Sequence, residues 1–224
     1  YSYLIDNFKI KIIYLVLIFF FMFFISLIIG ERSNFIKCFI GLSLITLVTF
    51  RISFYKKFFL ILSTLFIIFT FINFNENYKL RFYDQVKKIY SQNGITEYLK
   101  DSQYGALYNT AYQIFEKNKL FGVGIKNYRD ESPKSEYYNN EYKYTFQRSS
   151  THPHQIHYEF LSETGIFGYL IFLLFIFLSI FVSLKNYLVY KSNFQLAGII
   201  FIMISLIPYL PSGSFFSTFN SVIF

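Results

Sequence analysis

The chain has 224 residues, of which 54% are hydrophobic and only 15% charged; Phe and Tyr alone account for 32 and 21. A soluble domain carries roughly a quarter charged residues, and the apolar residues here are gathered into long blocks, so soluble, disordered, collagen-like and disulfide-built readings are excluded. Cys38 is the only cysteine and cannot form an internal bridge, and the net charge of +8 is explained below by topology rather than by nucleic-acid binding.

Five apolar stretches follow in chain order. Ile12 to Gly30 is uncharged and gives ~28 Å of helix, enough to cross the hydrocarbon. Spans are expected at about 12–30, 36–50 and 58–74, making residues 1–74 a three-helix membrane segment. Residues 164–224 hold a clean span at about 164–184, another at about 194–210, and the start of one more near 215. Pro208, Pro211 and Gly213 divide that last run. The chain begins at Tyr1 without a signal-peptide layout and ends in an apolar run, and is read as an internal piece of a larger membrane protein.

Orientation follows from the short loops. Lys9, Lys11, Arg51, Lys56, Lys57, Lys185 and Lys191 flank the spans on one side against the single acid Asp6. That side is expected to be cytoplasmic. The other side receives the turn at Gly30-Glu31-Arg32-Ser33-Asn34 and a long segment, 75–163, whose charges nearly cancel. A loop of this length is functional or carries its own structure. Tyr104, Leu107, Tyr108, Ala111, Tyr112 and Phe115 recur at helical spacing, which predicts an amphipathic helix on the membrane face or against the spans. Glycines in Phe121-Gly122-Val123-Gly124 end it. Ser132 to Gln147 reads as a polar mobile excursion, and a short helix is expected from Pro153 into Glu163. Arg81, Arg129 and Arg148 read as exposed loop arginines.

All three histidines lie in Ser149-Ser150-Thr151-His152-Pro153-His154-Gln155-Ile156-His157. Three readings of that cluster stand open. His154 and His157, at i,i+3 on a helix, can share a metal ion, although no cysteine or well-placed carboxylate completes a shell. A histidine can serve as general base or proton relay. Alternatively the stretch caps a helix, with Thr151 as N-cap and Pro153 in the first turn. Arg32 is similarly open: an interfacial anchor or ion-pair partner of Glu31, or a guanidinium held toward a phosphate at the membrane surface. Gly122-Val123-Gly124 lacks the preceding strand and following Gly-Lys-Ser/Thr of a nucleotide loop.

His154-Gln155, nine intervening residues and Gly165-Ile166-Phe167-Gly168 resemble the signature of the O-antigen ligase family, His followed by Asn, Ser or Gln and then Gly-x-x-Gly nine residues later. Gly30-Glu31-Arg32-Ser33 is similar to that family's Gly-x-Arg-Ser turn. Leu120-Phe121-Gly122-Val123-Gly124 with Tyr128-Arg129 is similar to its segment between loop helices. The resemblance runs over about residues 12 to 215 and corresponds to the C-terminal half of a family member. Two departures are Tyr169-Leu170, where Thr-Thr is frequent, and the absence of an arginine from the loop helix.

The resemblance implies an all-α polytopic transmembrane bundle of GT-C-like type with a large, partly helical periplasmic loop in the bacterial inner membrane. It implies glycan transfer from an undecaprenyl-diphosphate donor to lipid A-core, without metal or other cofactor. A polymerase and a protein O-oligosaccharyltransferase are the alternatives within the class. His154 and Arg32 are then the catalytic candidates. Arg129, Arg81, His152, Gln155 and Glu163 are candidates for binding diphosphate or glycan, and Gly165, Gly168, Gly122 and Gly124 are the motif glycines. The expected partners are the lipid-linked donor, a lipid A-core or other glycan acceptor, and membrane lipid. A non-enzymatic transporter of lipid-linked sugar predicts ionisable residues within the spans, where the sequence offers only Lys37 at an end.

Overall fold

A computed structural model describes residues 12–29, 32–49, 53–91 and 94–217. Among them the regular structure is helical and no strand occurs: α1 (Ile12–Ile29), α2 (Arg32–Thr49), α3 (Phe54–Phe74), α4 (Glu76–Ser91), α5 (Ile95–Lys100), α6 (Gln103–Lys117), α7 (Tyr128–Glu131), α8 (Ile156–Tyr190) and α9 (Asn193–Ser205). The chain divides into two compact units at Phe82/Tyr83, within α4.

In the first unit α1, α2 and α3 pack around Phe23, Leu27, Phe35 and Ile68. Phe23 meets Phe35 with ring centroids 4.8 Å apart, and Phe71 meets Tyr78 at 5.3 Å. Such aromatic pairs add to the plain burial of apolar area. Helix α4 was not expected from the sequence, which assigned residues from 75 onward to a loop. Its Tyr78 and Phe82 pack on the α1–α3 core, and the Tyr78 hydroxyl donates to the Ile28 carbonyl.

Among the described residues two helices are long and apolar enough to cross a membrane, α3 and α8. Only 11% and 17% of their apolar windows are buried within the protein, whereas a core helix of a soluble domain would be covered. Exposed Phe59, Phe66, Ile171 and Phe177 need an apolar surrounding. Helix α8, ~52 Å long at 1.5 Å per residue, exceeds the roughly 30 Å of hydrocarbon. Gly165 divides it with non-helical backbone angles (φ 66°, ψ −169°). The arm before that break, Ile156 to Thr164, carries Glu159 and Glu163 and lies outside the apolar stretch that follows. The span expected at about 194–210 is helical over Asn193–Ser205 only, short of a full crossing by length. Pro208 has no backbone N–H to continue it. The span expected to begin near 215 lies largely outside the described residues.

The second unit is built on α6 and the first arm of α8. The expected amphipathic helix is present as α6, but its buried face is rotated. Gly105, Ala106, Leu107, Tyr108, Thr110, Ala111 and Ile114 point inward, while Tyr104 and Tyr112 are exposed. Small residues let α6 approach its neighbours closely, which apolar periodicity alone does not register. Ser102 caps it by accepting from Gly105 N–H. The segment Ser132 to Gln147, expected as a mobile excursion, is folded. Tyr137 is buried against Ala111, Ile114 and Tyr128. Arg148, expected exposed, is buried; it donates to the carbonyls of Pro133, Lys134 and Thr145 and lies over the Tyr138 ring. It therefore ties that segment together.

Candidate functional site

Two glycine segments position the histidine-bearing arm. Gly122 and Gly165 both have positive φ, near 65°, where a β-carbon is disfavoured. They also lie backbone to backbone. A Cβ on Gly122 would fall 2.4 Å from the Glu163 carbonyl carbon, and one on Gly165 2.4 Å from that of Leu120. The close approach is sealed by four hydrogen bonds: Val123 N–H to Ser162 C=O, Gly124 N–H to Glu163 C=O, Ile166 N–H to Lys119 C=O and Phe167 N–H to Leu120 C=O. Those last two replace helical partners that the break at Gly165 removes. Gly124 also has positive φ. Gly168 is helical and faces the Thr164 side chain, which a Cβ would strike.

Glu163, fully buried, completes the junction. One carboxylate oxygen accepts from Lys126 N–H at 2.7 Å and the other from Tyr128 N–H at 3.3 Å. Burial raises its pKa, opposed by these two N–H groups and by the charge of Arg129. Arg129 itself is exposed on α7.

The α8 arm begins at Ile156, three residues later than the expected start at Pro153, and Gln155 rather than Thr151 caps it. The buried Gln155 amide oxygen accepts from His157 N–H at 2.7 Å and Tyr158 N–H at 3.1 Å. His154 therefore sits just outside the helix in the left-handed region, φ 57°. Its carbonyl accepts from Ser212 N–H at 2.8 Å, so the chain after α9 holds this bend. Its ring lies edge-on to Tyr104 (6.0 Å) and 4.1 Å from the ring of His152. Burial lowers the pKa of His154. Burial, with the neighbouring His154, pushes His152 down to about 4. Both imidazoles are thus neutral at pH 7. His152 Nδ1 pairs with the Thr151 hydroxyl, while its buried Nε2 and the buried Ser212 hydroxyl have no protein partner among the described residues.

His157 is occupied otherwise. Its Nε2 is 2.8 Å from the Leu206 carbonyl and must donate, so Nδ1 accepts from the Tyr169 hydroxyl at 2.9 Å. With both nitrogens engaged, the His154–His157 metal pair considered from the sequence does not form, and no group of three His, Cys, Asp or Glu among the described residues could hold an ion. The same contact accounts for Tyr169, one of the departures from the family pattern.

Glu159 was missed by the sequence reading. It is buried one helical turn below the histidine loop. Its oxygens accept from the Ser214 hydroxyl and from Phe215 N–H at 2.7 Å. Burial raises its pKa to about 7 against these hydrogen bonds. No local signal identifies this clasp, because its two halves are 55 and 56 residues apart.

Two clefts meet at Tyr112 and Tyr158. One, about 270 Å³, is lined by Tyr108, Asn109 and Tyr142; the other, about 320 Å³, by His157, Leu161, Tyr169 and Pro208. In the first unit Arg32 opens α2 and is half-buried, whereas Gly30 and Glu31 of its turn lie outside the described residues. Arg81 lies on α4, its side chain outside the described set.

The family model described as O-antigen ligase matches residues 17–173, covering α2 to α7 and the glycine junction, histidine bend and capped arm. The chain belongs to the O-antigen ligase family. No curated protein matches it. Membership makes it a membrane protein of the ligase/polymerase type of glycosyltransferase. Within the O-antigen ligase match fall His152, His154, Gln155, Glu163 and all four motif glycines.

Proposed function

We propose that the chain carries the catalytic site of a multi-pass inner-membrane enzyme that transfers a glycan from undecaprenyl diphosphate to lipid A-core at the periplasmic face. The observation that carries this reading is the His154 bend. A neutral, half-buried imidazole is held outside a capped helix by Ser212, inside a segment matched by the O-antigen ligase family.

The chemistry is a displacement at the anomeric carbon. The acceptor hydroxyl oxygen forms the new glycosidic bond, the bond from the sugar to the diphosphate oxygen breaks, and undecaprenyl diphosphate leaves with the electron pair. His154 takes the hydroxyl proton and passes it to water. The leaving diphosphate needs charge stabilisation more than protonation. Arg32 suits that role because a guanidinium at a helix N-terminus adds its charge to the positive end of the helix dipole. Arg129 and Arg81 are the candidates for a second phosphate contact. Gln155 and Glu163 support the site by capping the arm and fixing the glycine junction.

The test expresses the protein in a ligase-deficient strain that makes O-antigen. Lipopolysaccharide on a gel is expected to regain its ladder with wild type and lose it with His154→Ala or Arg32→Ala at equal membrane abundance. A ladder absent with wild type contradicts ligation to that core. Restored chain length in a polymerase-deficient host would then favour polymerisation.

A further inference from the structure

We propose that the cleft between α6 and Tyr158, about 270 Å³, binds one neutral sugar ring of the glycan being joined. This site rests on the glycosyltransferase reading and assigns it a specificity pocket.

Its walls have the chemistry of sugar recognition. Tyr112, Tyr142 and Tyr158 supply ring surface, Tyr142 and Tyr158 supply phenol hydroxyls, and Asn109 supplies an amide, while the Tyr108 hydroxyl is engaged with the Tyr209 carbonyl and that of Tyr112 with Glu116. A pyranose matches this pattern, since its C–H faces pack on aromatic rings while its hydroxyls exchange hydrogen bonds with side-chain polar groups. No charged side chain lines the cleft, so it does not suit a phosphate or a carboxylate. The half-buried Asn109 amide has no hydrogen-bond partner among the described residues, although its neighbours Tyr108 and Thr110 are buried on α6. The volume lies below the roughly 300 Å³ at which drug-sized ligand sites begin, which suits one ring rather than a lipid chain. Gly105 sets the depth: a Cβ there would stand 1.8 Å from the Leu99 carbonyl oxygen, so α5 closes tightly behind α6.

Position relates the cleft to His154. Successive rings are in contact from His154 to Tyr104 at 6.0 Å, Tyr104 to Tyr108 at 6.3 Å and Tyr108 to Tyr158 at 5.0 Å. The cleft thus opens two ring contacts from His154. A sugar seated there belongs to a unit near the reacting one, on either the donor or the acceptor.

The experiment uses purified full-length protein in detergent and two lipid-free probes, an oligosaccharide of the O-antigen repeat and the core oligosaccharide. Saturation-transfer NMR is expected to detect one of them with wild type and with His154→Ala, and to weaken roughly fivefold or more in Asn109→Leu and Tyr112→Ala. Tyr112 is exposed, so its substitution is expected to cost little stability. Transfer assays should show KM for the partner carrying that sugar raised by a similar factor, with kcat within about twofold. A response to core marks an acceptor site; a response to the repeat marks a donor site. Binding of neither probe to wild type, or equal binding by wild type and both variants, overturns the proposal. If wild type binds a probe but transfers no glycan, the enzyme reading fails while the binding comparison still decides the cleft.

Discussion

At the residue scale the glycines and histidines carry the most specific expectations. Gly165 occupies a backbone region essentially restricted to glycine and has no room for a Cβ. Gly165→Ala should therefore cost more than about 2 kcal/mol. Gly198→Ala, on α9 with nothing within 4 Å of the added carbon, should be neutral or slightly stabilising. Thermal melting of the two variants in detergent checks the contrast. The histidines give a pH expectation. Their pKa values are lowered by burial, so a base at His154 remains unprotonated below the usual 6.5 of histidine. The acid limb of the transfer rate should accordingly fall below pH 6.5; a limb at or above that value would contradict the assignment.

At the element scale the first arm of α8 is held by its cap and by its clasp to the chain after α9. Gln155→Ala removes the acceptor for two N–H groups and should destabilise by about 1 kcal/mol. Glu159 adds a pH dependence. Its folded pKa is raised from 4.5 to about 7, so the folded state favours the protonated form. That stability is fully present below pH 4.5 and is lost as pH rises through about 7. The melting temperature should drop between pH 5.5 and 8, and Glu159→Gln, which cannot ionise, should reduce the drop. An unchanged drop would show that Glu159 does not set it.

Much of this element level was legible in the sequence. Block hydropathy located α1 and α3, and the spacing from Tyr104 to Phe115 located α6. The inward face of α6 was misread because Ala106, Thr110 and Ala111 pack inward while Tyr104 and Tyr112 stay out; apolar character and burial part company where a helix packs closely. In α4 a stripe at Tyr78, Phe82, Val86 and Ile89 was present, masked by the interspersed lysines. The resemblance singled out His154 and its glycines together, but not why Gly122 and Gly165 go together. Their partnership, like that of Glu159 with Ser214, is a contact between distant segments that no local pattern encodes.

At the scale of the whole molecule, exposed aromatic and aliphatic side chains on α3 and α8 place the protein in a membrane, and the lysine-rich flanks set its expected orientation. In a cysteine-free full-length background, Ser149→Cys should react with a membrane-impermeant maleimide from outside the inner membrane. Ser192→Cys should react only after the membrane is opened. The reverse pattern would put the histidine loop in the cytoplasm and remove it from any periplasmic glycan.

The central claim is that His154 accepts the proton of the attacking hydroxyl. It is tested most directly by incubating the purified full-length protein with an undecaprenyl-diphosphate-linked glycan and lipid A-core and measuring the ligated product by mass. Wild type should form it, while His154→Ala should fall by roughly 10²-fold or more with donor binding retained. Product formation by His154→Ala at the wild-type rate would contradict the account.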